Sequence, residues 1–194
     1  MKRLLVLIAA VPLLSACTEE SEPVAPAVDI EAGKTFVETH CTGCHTLDGA
    51  GKTGEIPNLA AQPAEYLEEA MHAYREGRRN HAALQETIAS CSEADIRNIA
   101  AYLSGLPPVQ PVTVQAADDA VYQAGAEVAA ACISCHGERG FSTTPGMPSL
   151  AGQQPIYLIV STQEYARGNR GHDEKEAMLK GLGDVDIEKM AMYF

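Results

Sequence analysis

Apolar residues return at helical spacing through most of this chain, and nowhere do they alternate as the residues of strands would. The pattern predicts an all-α protein whose helices come in pairs: Ile30 to His40 and Ala120 to Ala131, Ala64 to Gly77 and Pro155 to Gly168, and finally about Ser92 to Ser104 and Asp184 to Phe194. Ser92 is a good N-cap, and Glu93 and Asp95 place negative charge in the first turn, where the helix dipole favours it. One apolar run differs. Leu4 to Leu14 follows Lys2 and Arg3, ends in Leu14-Ser15-Ala16-Cys17, and is too short for a membrane span. It reads as an export signal over residues 1–16, with Cys17 lipidated as the first residue of the mature protein. Cleavage by ordinary signal peptidase, leaving Cys17 a free thiol, is the plainer alternative.

The helices are paired because the sequence repeats. An offset of 91 residues carries Cys41 onto Cys132 and continues without a gap until Leu103 meets Phe194. Matched positions include Pro57 with Pro148, Leu59 with Leu150, Gln62 with Gln153, Tyr66 with Tyr157, Tyr74 with Tyr165, Gly77 with Gly168, Arg79 with Arg170, His81 with His172 and Asp95 with Asp186. Such duplication marks framework and site positions from a single sequence. It divides the chain into units at 29–106 and 118–194. Residues 17–28, rich in Glu, Pro and Ala, read as a solvated tether, and 107–117 as a stiff Pro-rich linker.

Each unit opens on a Cys-x-x-Cys-His pentapeptide, Cys41-Thr42-Gly43-Cys44-His45 and Cys132-Ile133-Ser134-Cys135-His136. This spacing attaches a c-type haem: two thiols on one turn form thioethers with the vinyl groups, and the adjoining imidazole becomes the proximal iron ligand. Cys41, Cys44, Cys132 and Cys135 are thus expected to anchor two haems, with His45 and His136 on the irons. Zinc binding or a thioredoxin-type pair would leave the following His unexplained in both copies.

Composition fits this reading. The 194-residue chain has a formal charge of −12, and loss of residues 1–16, with Lys2 and Arg3 their only charged side chains, makes it −14. A nucleic-acid role is excluded, and such a field should attract redox partners with basic docking surfaces. With no Trp and only three Phe the protein core must be small, so each haem is expected to supply the missing apolar body.

The pentapeptides, the turns Pro57-Asn58-Leu59-Ala60-Ala61-Gln62 and Pro148-Ser149-Leu150-Ala151-Gly152-Gln153, and the helix starts Ser92-Glu93-Ala94-Asp95-Ile96 and Gly183-Asp184-Val185-Asp186-Ile187 together resemble the cytochrome c4 family. That resemblance spans the whole mature chain and implies two class I cytochrome c domains in tandem. It also implies that the carbonyls of Pro57 and Pro148 orient the proximal imidazoles, a contact that tunes ligand basicity.

The sequence departs from the family on the distal side. Where family members usually carry an axial Met, seven positions before the hydrophobic residue preceding the last helix, Leu84 and Lys175 stand here. Three residues earlier lie His81 and His172, each in Arg-x-His on the segment expected to cross the distal haem face; they are the expected sixth ligands. Met178 is an alternative in the second domain. Lys175 would have to be deprotonated, against a reference pKa of about 10.4. Met71 and His72 are alternatives in the first domain, and a surface or propionate-contacting role for the two loop histidines is the plainer reading. Arg79 and Arg170 are expected to neutralise haem propionates or to cap a solvated helix end. His40 reads as surface and Cys91 as a small buried filler, with a reactive thiol as the other option.

The expected function is electron transfer on the periplasmic side of a bacterial membrane, between respiratory or dehydrogenase complexes, at a potential lowered by bis-histidine ligation. A di-haem enzyme or enzyme subunit, peroxidase-like or thiosulfate-oxidising, and a haem-based sensor are the alternatives. No nucleophile, base and orienting residue form a recognisable catalytic set.

Overall fold

The computed structural model describes residues 27–110 and 119–194, so the signal segment, Cys17, most of the tether and linker residues 111–117 lie outside the described residues. Two helical units follow one another. The first contains α1 (Ile30–Phe36), prolonged by a π-helical turn through Cys41, then α2 (Ala64–Arg75), α3 (Ala82–Ala89) and α4 (Glu93–Ser104). The second contains α5 (Ala120–Ala129), α6 (Ile133–His136), α7 (Pro155–Ala166), α8 (Asp173–Leu179) and α9 (Asp184–Tyr193). Among the described residues the only extended pairing is a single bridge between His45 and Gly51.

In each unit the first and last helices cross closely. Asp29 and Asp119 accept from the first-turn amides of α1 and α5, which satisfies donors the helix itself cannot use. Glycines then permit the crossing: a Cβ on Gly33 would lie 2.1 Å from the Asn98 carbonyl oxygen, and one on Gly125 2.3 Å from that of Lys189. α4 starts with a full capping box, Ser92 and Asp95 bonding each other's backbone amides, as its sequence predicts. α2 and α7 end sooner than expected because Gly77 and Gly168 are the left-handed residues just past the helix, at φ 76° and 72°.

α3 and α8 lie where the sequence suggested only loop. Their N-caps are His81 and His172, whose Nδ1 atoms accept from the amides of Leu84 and Lys175 at 3.3 and 3.4 Å. An imidazole is an uncommon cap, so the usual Ser, Thr, Asp or Asn signal was missing.

The halves are unequally packed. Val37, Leu67, Ile88, Cys91, Ile96, Ile99, Ala100 and Leu103 form a continuous buried cluster in the first, against Ala129, Ile187 and Met190 in the second. They meet across a face that obeys the repeat. Gln62 donates to the Ser149 carbonyl (2.8 Å) and accepts from its amide (3.0 Å), while Gln153 donates to the Asn58 carbonyl (2.9 Å) and accepts from its amide (2.6 Å). Since Gln62 matches Gln153 and Asn58 matches Ser149, the contact is pseudo-twofold, like an isologous dimer interface.

Candidate haem sites

Both pentapeptides open onto one cavity of about 430 Å³ that runs between the halves. Helical turns set the ligands out: the His45 amide bonds the Cys41 carbonyl and the His136 amide the Cys132 carbonyl, both at 3.0 Å. Each pair of thiols and its imidazole therefore share one short wall of the cavity. Burial pushes the Cys41 thiol up to about 11 and raises Cys132 as well. Burial lowers His45 to about 4 and also lowers His136, so both rings are held neutral, the form that binds a metal.

The second proximal ring is oriented as expected, with His136 Nδ1 2.9 Å from the Pro148 carbonyl oxygen. The His45 Nδ1 is buried without a hydrogen bond of normal geometry, although the Pro57 carbonyl is near enough to oppose the effect of burial on its basicity. The two proximal contacts are thus similar in kind and unequal in strength.

Arg79 and Arg170 are buried, at 8% and 5% exposure, so the solvated-helix-end reading is set aside. They lie in a nest of four tyrosines at the junction. Arg79 faces the rings of Tyr66 and Tyr74 and donates across the junction to the Tyr165 hydroxyl at 3.2 Å. Arg170 faces Tyr157 and Tyr165, donates to the Tyr157 hydroxyl at 2.7 Å, and meets Glu164 at 3.2 Å. Its Nε is buried with no partner. Glu164 answers one nitrogen of the guanidinium, and the buried Nε beside an apolar cavity still calls for an acceptor, a part that a haem carboxylate would fit. Sequence reasoning found the arginines through their duplication but could not see the tyrosine nest, although all four tyrosines are matched in the repeat.

His81, Leu84, His172 and Lys175 also border the cavity. The Lys175 ammonium stands 4.4 Å from the Tyr165 ring centroid. Met71 and Met178 also border the cavity; Met178 is 48% exposed, and Met71 packs against the first core. His72 is held by Arg75 and Glu93. His40 is exposed and stacks on Phe36. Cys91 is buried, its Sγ donating to the Thr87 carbonyl at 3.6 Å, which fits a small filler.

A duplicated helical unit with a Cys-x-x-Cys-His turn on an apolar cavity defines the class: a protein with two c-type haem domains in tandem. The cytochrome c family profile matches residues 30–107 and 122–193, and the chain belongs to that family. It is 29% identical over 181 residues to cytochrome c4 of Pseudomonas aeruginosa, covering 86% of this chain and 88% of that protein. The thiosulfate dehydrogenase electron acceptor of Stutzerimonas stutzeri is 26% identical over 167 residues, 79% of this chain and 77% of that one. The crystal structure of reduced recombinant cytochrome c4 from Pseudomonas stutzeri superposes with a TM-score of 0.76 at 26% identity, covering 86% of this chain and 97% of that chain. The protein is accordingly an all-α, cytochrome c4-like carrier of two covalently bound c-type haems, which exchanges electrons with other redox proteins.

Proposed function

We propose that this carrier works at a lower potential than cytochromes with His/Met irons, because imidazoles take both axial positions. Cys41, Cys44, Cys132 and Cys135 hold the haems, His45 and His136 are the proximal ligands, and His81 and His172 the distal ones. The haems supply the one-electron chemistry; the chain supplies ligands, a water-poor cavity and charge. Pro148 fixes the His136 ring, Pro57 has the same task for His45, and Arg79 and Arg170 compensate the haem carboxylates.

The observation that carries this reading is the matched pair of histidines that border the cavity onto which His45 and His136 also open. Leu84 and Lys175 stand at the usual Met positions; Met71 and Met178 border the same cavity, but Met71 packs against the first core and Met178 is 48% exposed. His81 and His172 border the cavity at matched positions of the two halves. Ligation through Nε2 requires each ring to leave its cap, since Nδ1 must change from acceptor to donor. Losing a cap costs about 1 kcal/mol, little against a coordinate bond, and both cap bonds are long. Imidazole favours ferric iron more than thioether sulfur does. Potentiometric titration beside a His/Met cytochrome c4 is the test: both midpoints should fall below those of the comparison protein, and midpoints equal to them would refute the reading.

Further parts of the proposal rest on the sequence: export by residues 1–16, a lipid anchor on Cys17, domain limits of 29–106 and 118–194, and a periplasmic station facing partners with basic surfaces. Among the described residues no helix is long and apolar enough to cross a membrane. A second reading is favoured by the relatives named as thiosulfate dehydrogenase electron acceptors. In it, this chain is the electron-accepting subunit of a sulfur-oxidising assembly, and its haems are reduced when thiosulfate is added with the enzyme.

A further inference from the structure

The two distal segments match in sequence position and differ in how they are held. In the first half, α3 inserts Ile88 into the core, Cys91 follows it there, and Ser92 locks the start of α4 with its capping box. Arg75 bonds the Cys91 carbonyl as well. The corresponding residues of the second half are Leu179, Leu182 and Gly183. α8 buries none of its residues, and Leu182 only leans on its core. Gly183 begins α9 with no side-chain cap, and Gly181, at φ 94°, occupies the place of Ser90. A short helix without buried anchors, joined to the next by a turn that holds Gly181 and Gly183, belongs to the low-stability end of a structure. The cavity face of this segment also carries charge. Lys175 and Glu174 border the cavity, where the matched residues of the first half are the uncharged Leu84 and Ala83; Arg79 and Arg170 border it in both halves.

We propose that the second haem has a displaceable distal ligand and binds small anionic iron ligands of the cyanide class, with Lys175 stabilising the bound anion, while the first haem stays closed. The proposal builds on the bis-imidazole reading. Cyanide replaces His172 on the ferric iron without any electron transfer. The iron–nitrogen bond breaks as the iron–carbon bond forms, hydrocyanic acid releases its proton to solvent, and the freed ring returns to its cap on the Lys175 amide.

The test is a cyanide titration of the fully oxidised holoprotein, followed by Soret absorbance and electron paramagnetic resonance. The resting spectrum checks the underlying reading first: two low-spin bis-imidazole signals support it, and their absence refutes that reading before cyanide is added. One cyanide per chain is then expected, converting one of the two signals. His172→Ala should accelerate that same phase, and His81→Ala should leave it unchanged while opening a second. Lys175→Gln should weaken binding severalfold. Gly183→Ser, which has open space for its side chain and meets Asp186 as Ser92 meets Asp95, should slow it. Binding of two cyanides with equal affinity, no binding, or a phase that responds to His81→Ala instead of His172→Ala would overturn the proposal.

Discussion

His81 and His172, the proposed distal ligands, carry most of the consequence at the scale of single residues. Replacing His81 by Met offers the first iron a thioether from the same loop, and the account expects that haem's midpoint to rise while the second stays put, read by titration of the two waves. Arg170 gives a second handle. Its guanidinium is buried beside the cavity with Nε unused, and a cation near the iron favours the reduced state. Arg170→Gln should therefore lower a haem midpoint by an amount worth on the order of 1 kcal/mol; an unchanged midpoint would mean that no haem carboxylate meets it beside Glu164. The residues that line the shared cavity were largely legible. Two pentapeptides named six residues through their spacing alone, and duplication singled out Arg79, Arg170, His81 and His172. What the sequence hid was position: nothing in Arg-x-His announces that the histidine caps a helix, or that the arginine is buried among tyrosines from both halves.

Among the helices, α4 shows how capping and charge combine. Ser92→Ala removes one side of its capping box and should cost about 1 kcal/mol in chemical unfolding of the holoprotein. The same turn sets a pH dependence. Hydrogen bonds from Ser92 hold Asp95 below the usual carboxylate range, and the bond from Arg75 does the same for Glu93. Folding depresses these pKa values, so their contribution is complete above the ordinary carboxylate range and disappears as pH falls through the folded values. Acid titration of the Ser92→Ala protein should show a smaller loss at low pH than the parent. Crossing helices are less forgiving. Gly33→Ala must push α1 away from the α4 backbone and should destabilise by about 1–3 kcal/mol, seen as a lower thermal midpoint. The pairs of principal helices were readable from periodicity because each keeps an apolar face on a core. α3 and α8 were not, being short and started by an imidazole.

At the scale of the whole molecule, the repeat explains the junction. Gln62 and Gln153 were visible as matched residues, but their partners, Asn58 and Ser149, differ between the halves. The glutamine bonds use the backbone of those two residues, so their unlike side chains leave the glutamine contact intact and conceal it in the sequence, although the Asn58 amide also donates across the junction to the Gly152 carbonyl. Changing both glutamines to alanine removes their four hydrogen bonds across the junction, each worth about 1 kcal/mol. Electron exchange between the haems in pulse-reduced protein should slow while each haem's own spectrum is kept. The net negative charge works at longer range: reduction by a basic partner should slow steeply as ionic strength rises past about 0.1 M, where the screening length shortens to about 10 Å.

Near-infrared magnetic circular dichroism of the oxidised holoprotein reads the axial ligand pair of each low-spin haem from the energy of its charge-transfer band. The account predicts two irons per chain, both with bands of the bis-imidazole type. A band of the imidazole–thioether type on either haem would contradict it.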